Sequence, residues 1–558
     1  MDKKISYENF IDSIIVEDLK KGFNKKDLKF RFPPEPNGFL HIGHLKALDL
    51  NFSLGEKYNA SVNLRFDDTN PSNESIEFVN AIKRDIKWLG YNWDKECYAS
   101  DYFEILYKWS LILIENNLAY IDSQDSETIA SQKGTLNKPG KNSPYRNRSV
   151  KENIKIFEEM KQGVHKEGEH VLRAKIDMGS SNLLMRDPIM YRVIFKNHHR
   201  LKKKWCLFPT YDWTHGQSDY IERISHSLCS LEFKPHRDLY EWFLNRIVNQ
   251  SIKYPKQREF ARLNLSYTIM SKRKLAELVD KGHVKGWDDP RMPTISGLRR
   301  RGYTPEALKK FIKTAGISKR ENLIDVSLLE YCIRENLNKV ANRVMVVLDP
   351  VKLIITNYPE DKNEKVQIVN NPEDLNSGSR NVSFSREIYI EREDFKEIAN
   401  RKYFRLSIGK EVRLKSAYII KAISCNKDIN GKVMEILCEY DPKSKSGSGT
   451  IESERKVKGT IHWVSKSNSL DAVVNLYDRL FKNEFPEKTK GKSFVESFNE
   501  NSLKKINVKA ERSVENSKVG QIFQFQRKGY FVVDDDSEKG SLIFNRTVEL
   551  RDNWTKKN

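Results

Sequence analysis

The sequence predicts a multidomain chain in which an α/β part, built on a parallel sheet, is followed by an all-β part. Three observations carry this prediction. The first hundred residues alternate strand-like and helix-like patterns, whereas the residues after Pro350 break into short β-like runs separated by turns. At 558 residues the chain also exceeds what one core accommodates, and roughly three to five domains are expected.

Residues 28–32 alternate like a strand and run into Pro33-Pro34-Glu35-Pro36-Asn37-Gly38, whose prolines stiffen a loop. A helix is expected from about His41. Residues 61–66 read as a second strand closing on Asp67-Asp68-Thr69-Asn70-Pro71. There Asn70 is placed to cap the next helix and Pro71 to occupy its first turn. Ile76, Val79, Ile82, Ile86 and Leu89 recur three or four apart as that helix's buried stripe. Strand, helix, strand, helix in this order predicts a parallel, nucleotide-binding sheet. Residues 101–210 are mixed and loop-rich, most of all over 134–148, and read as an insertion. Helical patterning returns between 300 and 340. Beyond it, Asn430-Gly431 between two β-like runs predicts a hairpin. Residues 529–533 and 541–544 predict further strands, and barrels are expected. Residues 443–449, rich in Gly and Ser, predict a flexible loop.

An apolar share of 38% with 11% aromatics supports a packed core and excludes global disorder. The net charge of +21 points to a polyanionic partner such as nucleic acid, although a lysine-rich vocabulary alone also yields a basic surface. Six cysteines without a Cys-x-x-Cys pair argue against a zinc site and a disulfide framework, and fit a reducing cytosol. Residues 1–20 mix apolar and charged side chains, unlike a signal peptide, and no apolar run approaches the roughly 20 residues that span a bilayer. A soluble, cytoplasmic protein is the expectation.

Two short motifs can carry chemistry. In Glu35-Pro36-Asn37-Gly38-Phe39-Leu40-His41-Ile42-Gly43-His44, a helix opens just past the carboxyl end of a strand, where unpaired N–H groups and the helix dipole favour phosphate. His41 and His44 share a helical face and can donate to a triphosphate, while Gly43 leaves room for an adenine ring. His-x-x-His alone equally describes polar surface. In Met270-Ser271-Lys272-Arg273, Lys272 can place positive charge on a leaving pyrophosphate. Alone, it equally describes a solvated basic turn.

Together and in this order, the two motifs resemble the paired signatures of class I aminoacyl-tRNA synthetases. Residues 31–38, 65–71 and 287–294 are similar to the glutaminyl-tRNA synthetase family and its close glutamyl relatives. Residues 172–177, 185–188 and 456–464 extend the likeness over nearly the whole chain. One departure stands out: the family's Lys-Met-Ser-Lys-Ser appears as Ile269-Met270-Ser271-Lys272-Arg273, so the catalytic charge is assigned to Lys272.

The resemblance implies a Rossmann-type catalytic domain (1–100 and 211–262) with an acceptor-stem-binding insertion (101–210). A signature loop and helical subdomain (263–340) and two anticodon-binding β-barrels (341–558) follow. It implies ligation of L-glutamine to tRNA(Gln) by a monomer, with Mg2+ and ATP as the substrate complex and no tightly bound cofactor, zinc or other metal. His41, His44 and Lys272 take the catalytic roles. Glu35, Pro36 and Asn37, with His41, Ile42, Gly43, His44, Leu45, Lys46 and Ala47, line the ATP site, and Ser230, Arg262, Leu263, Met270, Ser271 and Lys272 complete it. Asp67 pairs with the substrate's α-ammonium, and Tyr211 and Cys229 face its side chain. Glutamyl relatives carry Arg where this chain has Cys229, and without a cation a substrate carboxylate is left unpaired. That favours glutamine; a glutamyl-tRNA synthetase, whether or not it also charges tRNA(Gln), or a non-catalytic tRNA-binding paralogue, is the alternative. Arg343, Arg405, Gln524 and Arg527 match positions that contact anticodon bases. Where the family often carries an acidic residue after Leu-Glu-Phe, this chain has Lys234-Pro235.

Overall fold

The structure is a computed structural model that describes residues 8–247, 255–487 and 493–552. The first seven residues of the N-terminal stretch considered above therefore lie outside the described residues. The chain divides into two compact units: Met1–Asn264 with Met270–Ala276 and Ile312–Ile324, and Leu265–Ile269 with Glu277–Phe311 and Asp325–Asn558.

In the first unit, helix α1 (Phe10–Lys20) precedes strands β1 (Lys29–Phe32), β2 (Ser61–Phe66) and β3 (Lys95–Tyr98), which form a parallel sheet in that order. Helices α2 (Ile42–Tyr58) and α3 (Ile76–Trp88) supply the crossovers. Phe30, Phe32, Val62 and Leu64 on one face and Arg31 and Asn63 on the other are all buried, the pattern of parallel strands covered on both faces. Ser75, not the expected Asn70, caps α3: its side chain accepts from the Phe78 N–H, while Asn70 and Pro71 sit in the preceding turn. The stripe Val79, Ile82, Ile86 and Leu89 is buried, but Ile76, the first residue of α3, is exposed.

The next segment contains more regular structure than its sequence announces. After α4 (Phe103–Glu115), strands β4 (Ala119–Asp122), β5 (Val171–Ala174), β6 (Ile189–Val193) and β7 (Leu207–Pro209) make a four-stranded antiparallel sheet. Helices α5 (Ser126–Gln132) and α6 (Val150–Lys161) fall between β4 and β5. The strands are only three to five residues long, too short for an alternation to register. Helix α7 (Tyr211–Ile221) then leads to β8 (His226–Ser230), followed by α8 (Arg237–Ile247) and β9 (Lys256–Phe260), which pairs parallel with β8. The Ser225 N–H donates to the Lys29 carbonyl at 3.0 Å, setting the start of β8 beside β1.

The second unit carries helices Ile295–Arg300 and Val326–Val340 and two seven-stranded mixed sheets. One sheet runs from Asn342–Val344 to Val346–Val347, the other from Thr460–Ile461 to Val464–Ser465. In each, the two edge strands are consecutive in the chain, so one short segment bridges both edges and bends the sheet toward a barrel, leaving little open edge. Val351, Leu353, Ile388 and Trp463 fill one interior; Val346, Val474, Phe525 and Phe544 fill the other. The hairpin at Asn430-Gly431 joins antiparallel strands Ile419–Lys427 and Val433–Tyr440, and Gly431 supplies the φ of +78° its turn needs.

Candidate active site

The loop after β1 delivers the chain to His41, which caps α2. His41 Nδ1 accepts the Gly43 N–H, and His44 Nδ1 in turn accepts the His41 N–H, each at 3.1 Å. With both Nδ1 atoms accepting, each neutral ring carries its proton on Nε2, where it is a donor. Burial first, and the nearby Lys272 charge second, hold His41 down to about 3; burial, His41 and Lys272 hold His44 well below its ordinary value. Both rings are therefore neutral at physiological pH, with centroids 3.8 Å apart. A Cβ on Gly43 would meet His41 Cε1 and Nδ1 at 2.8 Å. The position a Gly43 Cβ would take is thus held by the His41 ring.

Lys272 opens helix α9 (Lys272–Asp280). Its Nζ donates to the Glu35 carbonyl at 3.1 Å and to Asn37 Oδ1 at 2.6 Å, and Asn37 Nδ2 donates to Glu35 Oε2. Burial pushes the Lys272 ammonium down to about 8, opposed by Glu35 and Glu74. Met270 Sδ lies 3.4 Å from where a Gly43 Cβ would stand. The two motifs thus meet: neutral donors at a helix N-terminus, and a cation held on the loop before it.

The other residues named for the ATP site divide. Ile42, Leu45 and Lys46 are each 1% exposed, as is Leu263, so their side chains offer a ligand no surface. Pro36 is buried, its carbonyl accepting from the Ser75 N–H, while Ala47 is half-buried. Ser271 accepts through its carbonyl from the Leu275 N–H. Ser230 Oγ donates to Glu232 Oε1 at 2.8 Å, and the half-exposed Arg262 faces Glu232 and Glu321.

Asp67 stands at the carboxyl end of β2. Its Oδ1 accepts from Arg65 Nε at 2.8 Å, while Oδ2 is buried without a hydrogen-bond partner. Burial outweighs Arg65 and raises this carboxyl to about 6. Tyr211 begins α7 and stacks on His215, with ring centroids 5.0 Å apart. After burial, Cys229 and Asp67 act most strongly on its hydroxyl, whose pKa lies well above the ordinary value. The pocket expected of Asp67, Tyr211 and Cys229 centres on His215: Tyr211 stacks on it, Cys229 Sγ lies 3.7 Å from its Nε2, and Arg65 bridges it to Asp67.

That pocket is not free of cations, as the Cys229 reading had it. Arg31, wholly buried on β1, places Nη2 3.6 Å from Cys229 Sγ. Its charge is already engaged: Nε donates to Asp219 Oδ1 at 3.0 Å, Nη2 to Ser227 Oγ at 2.7 Å and Asp219 Oδ2 at 3.3 Å, and Nη1 to the Leu228 carbonyl at 3.0 Å. Arg65 completes the network through Asp67, Asp219 and Glu222. Two guanidiniums thus face three carboxyls, and a substrate carboxylate there would add an anion with no cation left for it. His215, held down to about 3 by burial, sits between the two arginines as a neutral ring. Sequence reasoning missed Arg31, Arg65, His215 and Asp219. The spacing of Tyr211, His215 and Asp219, four apart on one face of α7, was the available signal.

The four residues named for the anticodon lie in the second unit, as two pairs. Arg343 and Gln524 are register partners on neighbouring parallel strands; Gln524 is 8% exposed and its Nε2 donates to the Tyr530 hydroxyl. Arg527 and Arg405 share the buried Asp394, at 2.8 Å and 2.9 Å. Beside Arg405 opens a cavity of about 420 Å³, lined among others by Arg401, Tyr403, Lys410, Lys421 and Lys458. Sequence reasoning named none of these five; basic and aromatic side chains together suit an unstacked base and its phosphate.

Comparison with known proteins gives three family matches. Residues 27–339 match the catalytic domain of tRNA synthetases class I (E and Q), and residues 341–441 and 460–534 match anti-codon binding domains of the same group. A glutamine--tRNA ligase of Clostridium kluyveri is 50% identical over 547 residues, 98% of each chain. One of Vibrio parahaemolyticus is 51% identical over 550 residues, again 98% of each. A glutamate tRNA ligase structure from Elizabethkingia meningosepticum overlays with a TM-score of 0.42 at 16% identity, covering 57% of this chain and 70% of that one.

Proposed function

The chain belongs to the class I tRNA synthetases of the E and Q group, and on that premise we propose that it ligates L-glutamine to tRNA(Gln) using ATP. The glutamine carboxylate attacks the α-phosphorus of Mg–ATP; the bond from that phosphorus to the bridging oxygen breaks, and pyrophosphate leaves. The 2′-hydroxyl of the terminal tRNA adenosine then takes the acyl group, releasing AMP.

Little covalent work falls to the protein. Positioning contributes about 7–11 kcal/mol, and charge stabilisation much of the rest. The His41 and His44 Nε2–H groups and the α2 N-terminus donate to the phosphates, and Lys272 leaves Glu35 and Asn37 to follow negative charge onto pyrophosphate. The unpaired Oδ2 of Asp67 receives the α-ammonium, and the Tyr211 hydroxyl, both donor and acceptor, faces the amide. Arg343, Arg405, Gln524 and Arg527 take the anticodon as a monomer binds its tRNA.

The observation that supports this reading best is the convergence of His41, His44 and Lys272, from two distant motifs, beside a pocket whose cations are already neutralised. Charging purified tRNA(Gln) with glutamine or glutamate tests it. Glutaminyl-tRNA is the expected product; preferential charging with glutamate would overturn the substrate assignment.

A further inference from the structure

Among the described residues, two groups of three histidine and carboxylate side chains converge closely enough to hold a metal ion. The group Asp68, His198 and His199 is a closed hydrogen-bonded brace. His198 Nδ1 accepts the N–H groups of Arg200 and Leu201, and its Nε2 meets the Asp68 carbonyl at 3.0 Å. No lone pair of His198 is left for an ion.

The second group differs. It lies in the turn between α6 and β5, on His165, Glu169 and His170, with Glu159 reaching in from α6. His165 Nε2 is 3.1 Å from Glu159 Oε2. His165 Nδ1 in turn is 3.3 Å from Glu169 Oε1, and a neutral ring can donate to only one of these two carboxylates, which leaves a lone pair facing the other. Two such atoms at that distance repel unless a cation lies between them. On the other side of the same oxygen, His170 Nε2 stands at 3.6 Å. Zinc–nitrogen and zinc–oxygen bonds of about 2.0–2.1 Å in tetrahedral geometry set ligand atoms about 3.3 Å apart, close to both distances.

The supporting contacts also fit. Glu159 stands to His165 as the carboxylate that usually orients a metal-bound histidine. The second oxygen of Glu169 accepts the Lys166 N–H at 3.0 Å, which fixes the first toward the histidines. His170 Nδ1 is buried without a hydrogen-bond partner, so this ring, unlike His165, has no orienting carboxylate behind it. The side chains of His165 and His170 are 16% and 13% exposed, sheltered yet open to a hydrated ion. We propose that His165 Nδ1, Glu169 Oε1 and His170 Nε2 bind a divalent transition-metal ion of the zinc class, with Glu159 as the orienting residue and water completing the coordination. The cysteine spacing gave no hint of it, because thiolates are not the ligands.

Titration of the untagged, full-length chain with Co2+, followed by visible ligand-field absorption and by competition with Zn2+, tests the site. One equivalent should bind. His165→Ala and His170→Ala should each weaken binding by at least about 100-fold, and Glu159→Gln by about 10- to 100-fold. The Glu159→Gln change preserves side-chain size, so its effect reads metal binding rather than folding. Absence of a Co2+ band in the unaltered chain, or equal uptake by the His165→Ala/His170→Ala double variant, would overturn the site; the four residues would then hold only a proton.

Discussion

One oxygen of Asp67 is bound to Arg65 and the other is buried with no partner. A carboxylate in that state costs the fold free energy that an arriving ammonium can recover. Its elevated pKa, about 6, gives the pH dependence a sign. As pH falls through 6 the folded chain takes up a proton before an unfolded carboxyl, near 3.8, would. Between those values this residue therefore adds stability as the solution becomes more acidic, opposite to an ordinary ion-paired acid. The neutral form cannot pair with the α-ammonium. The KM for glutamine should thus be flat above pH 6 and rise below it, and Asp67→Asn should raise KM while abolishing the break. A glutamine KM independent of pH from 5 to 7 would remove the ammonium contact.

At the scale of elements, α2 begins with a histidine in a position usually held by Ser, Thr, Asp or Asn. That choice costs cap quality and supplies Nε2–H donors at a positive helix end. The two roles separate by substitution. His41→Ala loses both, and the lost cap alone is worth about 1 kcal/mol. His41→Asn keeps a cap without the imidazole Nε2–H, so its Tm should match or exceed the parent's while adenylate formation slows by about 10²- to 10³-fold. Equal rates for His41→Asn and the parent would reduce His41 to a cap.

The first hundred residues were the most legible part of the fold, because strands of alternating apolar and polar residues abut a proline-rich loop and a regular helical stripe. Ser75 was missed as a cap because Asn70-Pro71 presents a stronger local signal five residues earlier, which tertiary structure spends on a turn. The four short strands between 119 and 209 were missed because β4 and β5 pair across 48 residues that include two helices.

At the scale of the molecule, what escaped the sequence is the charge network. Arg31 reaches Asp219 across 188 residues and Cys229 across 198, so the neutrality of the pocket belongs to no contiguous stretch. Cys229 suggested an absent cation; the fold instead brings one in and matches it with Asp219. The proposed phosphate site was legible for the contrary reason. Each half is a contiguous motif, and folding had only to bring the halves together.

The proposed chemistry requires Lys272 to act at that meeting point and nowhere else. Single-turnover adenylate formation by Lys272→Ala, measured alongside tRNA(Gln) affinity on the same preparation, tests it most directly. Adenylate formation should fall by about 10²- to 10³-fold with the tRNA Kd unchanged. An undiminished rate, or a loss that follows a weakened tRNA Kd, would contradict it.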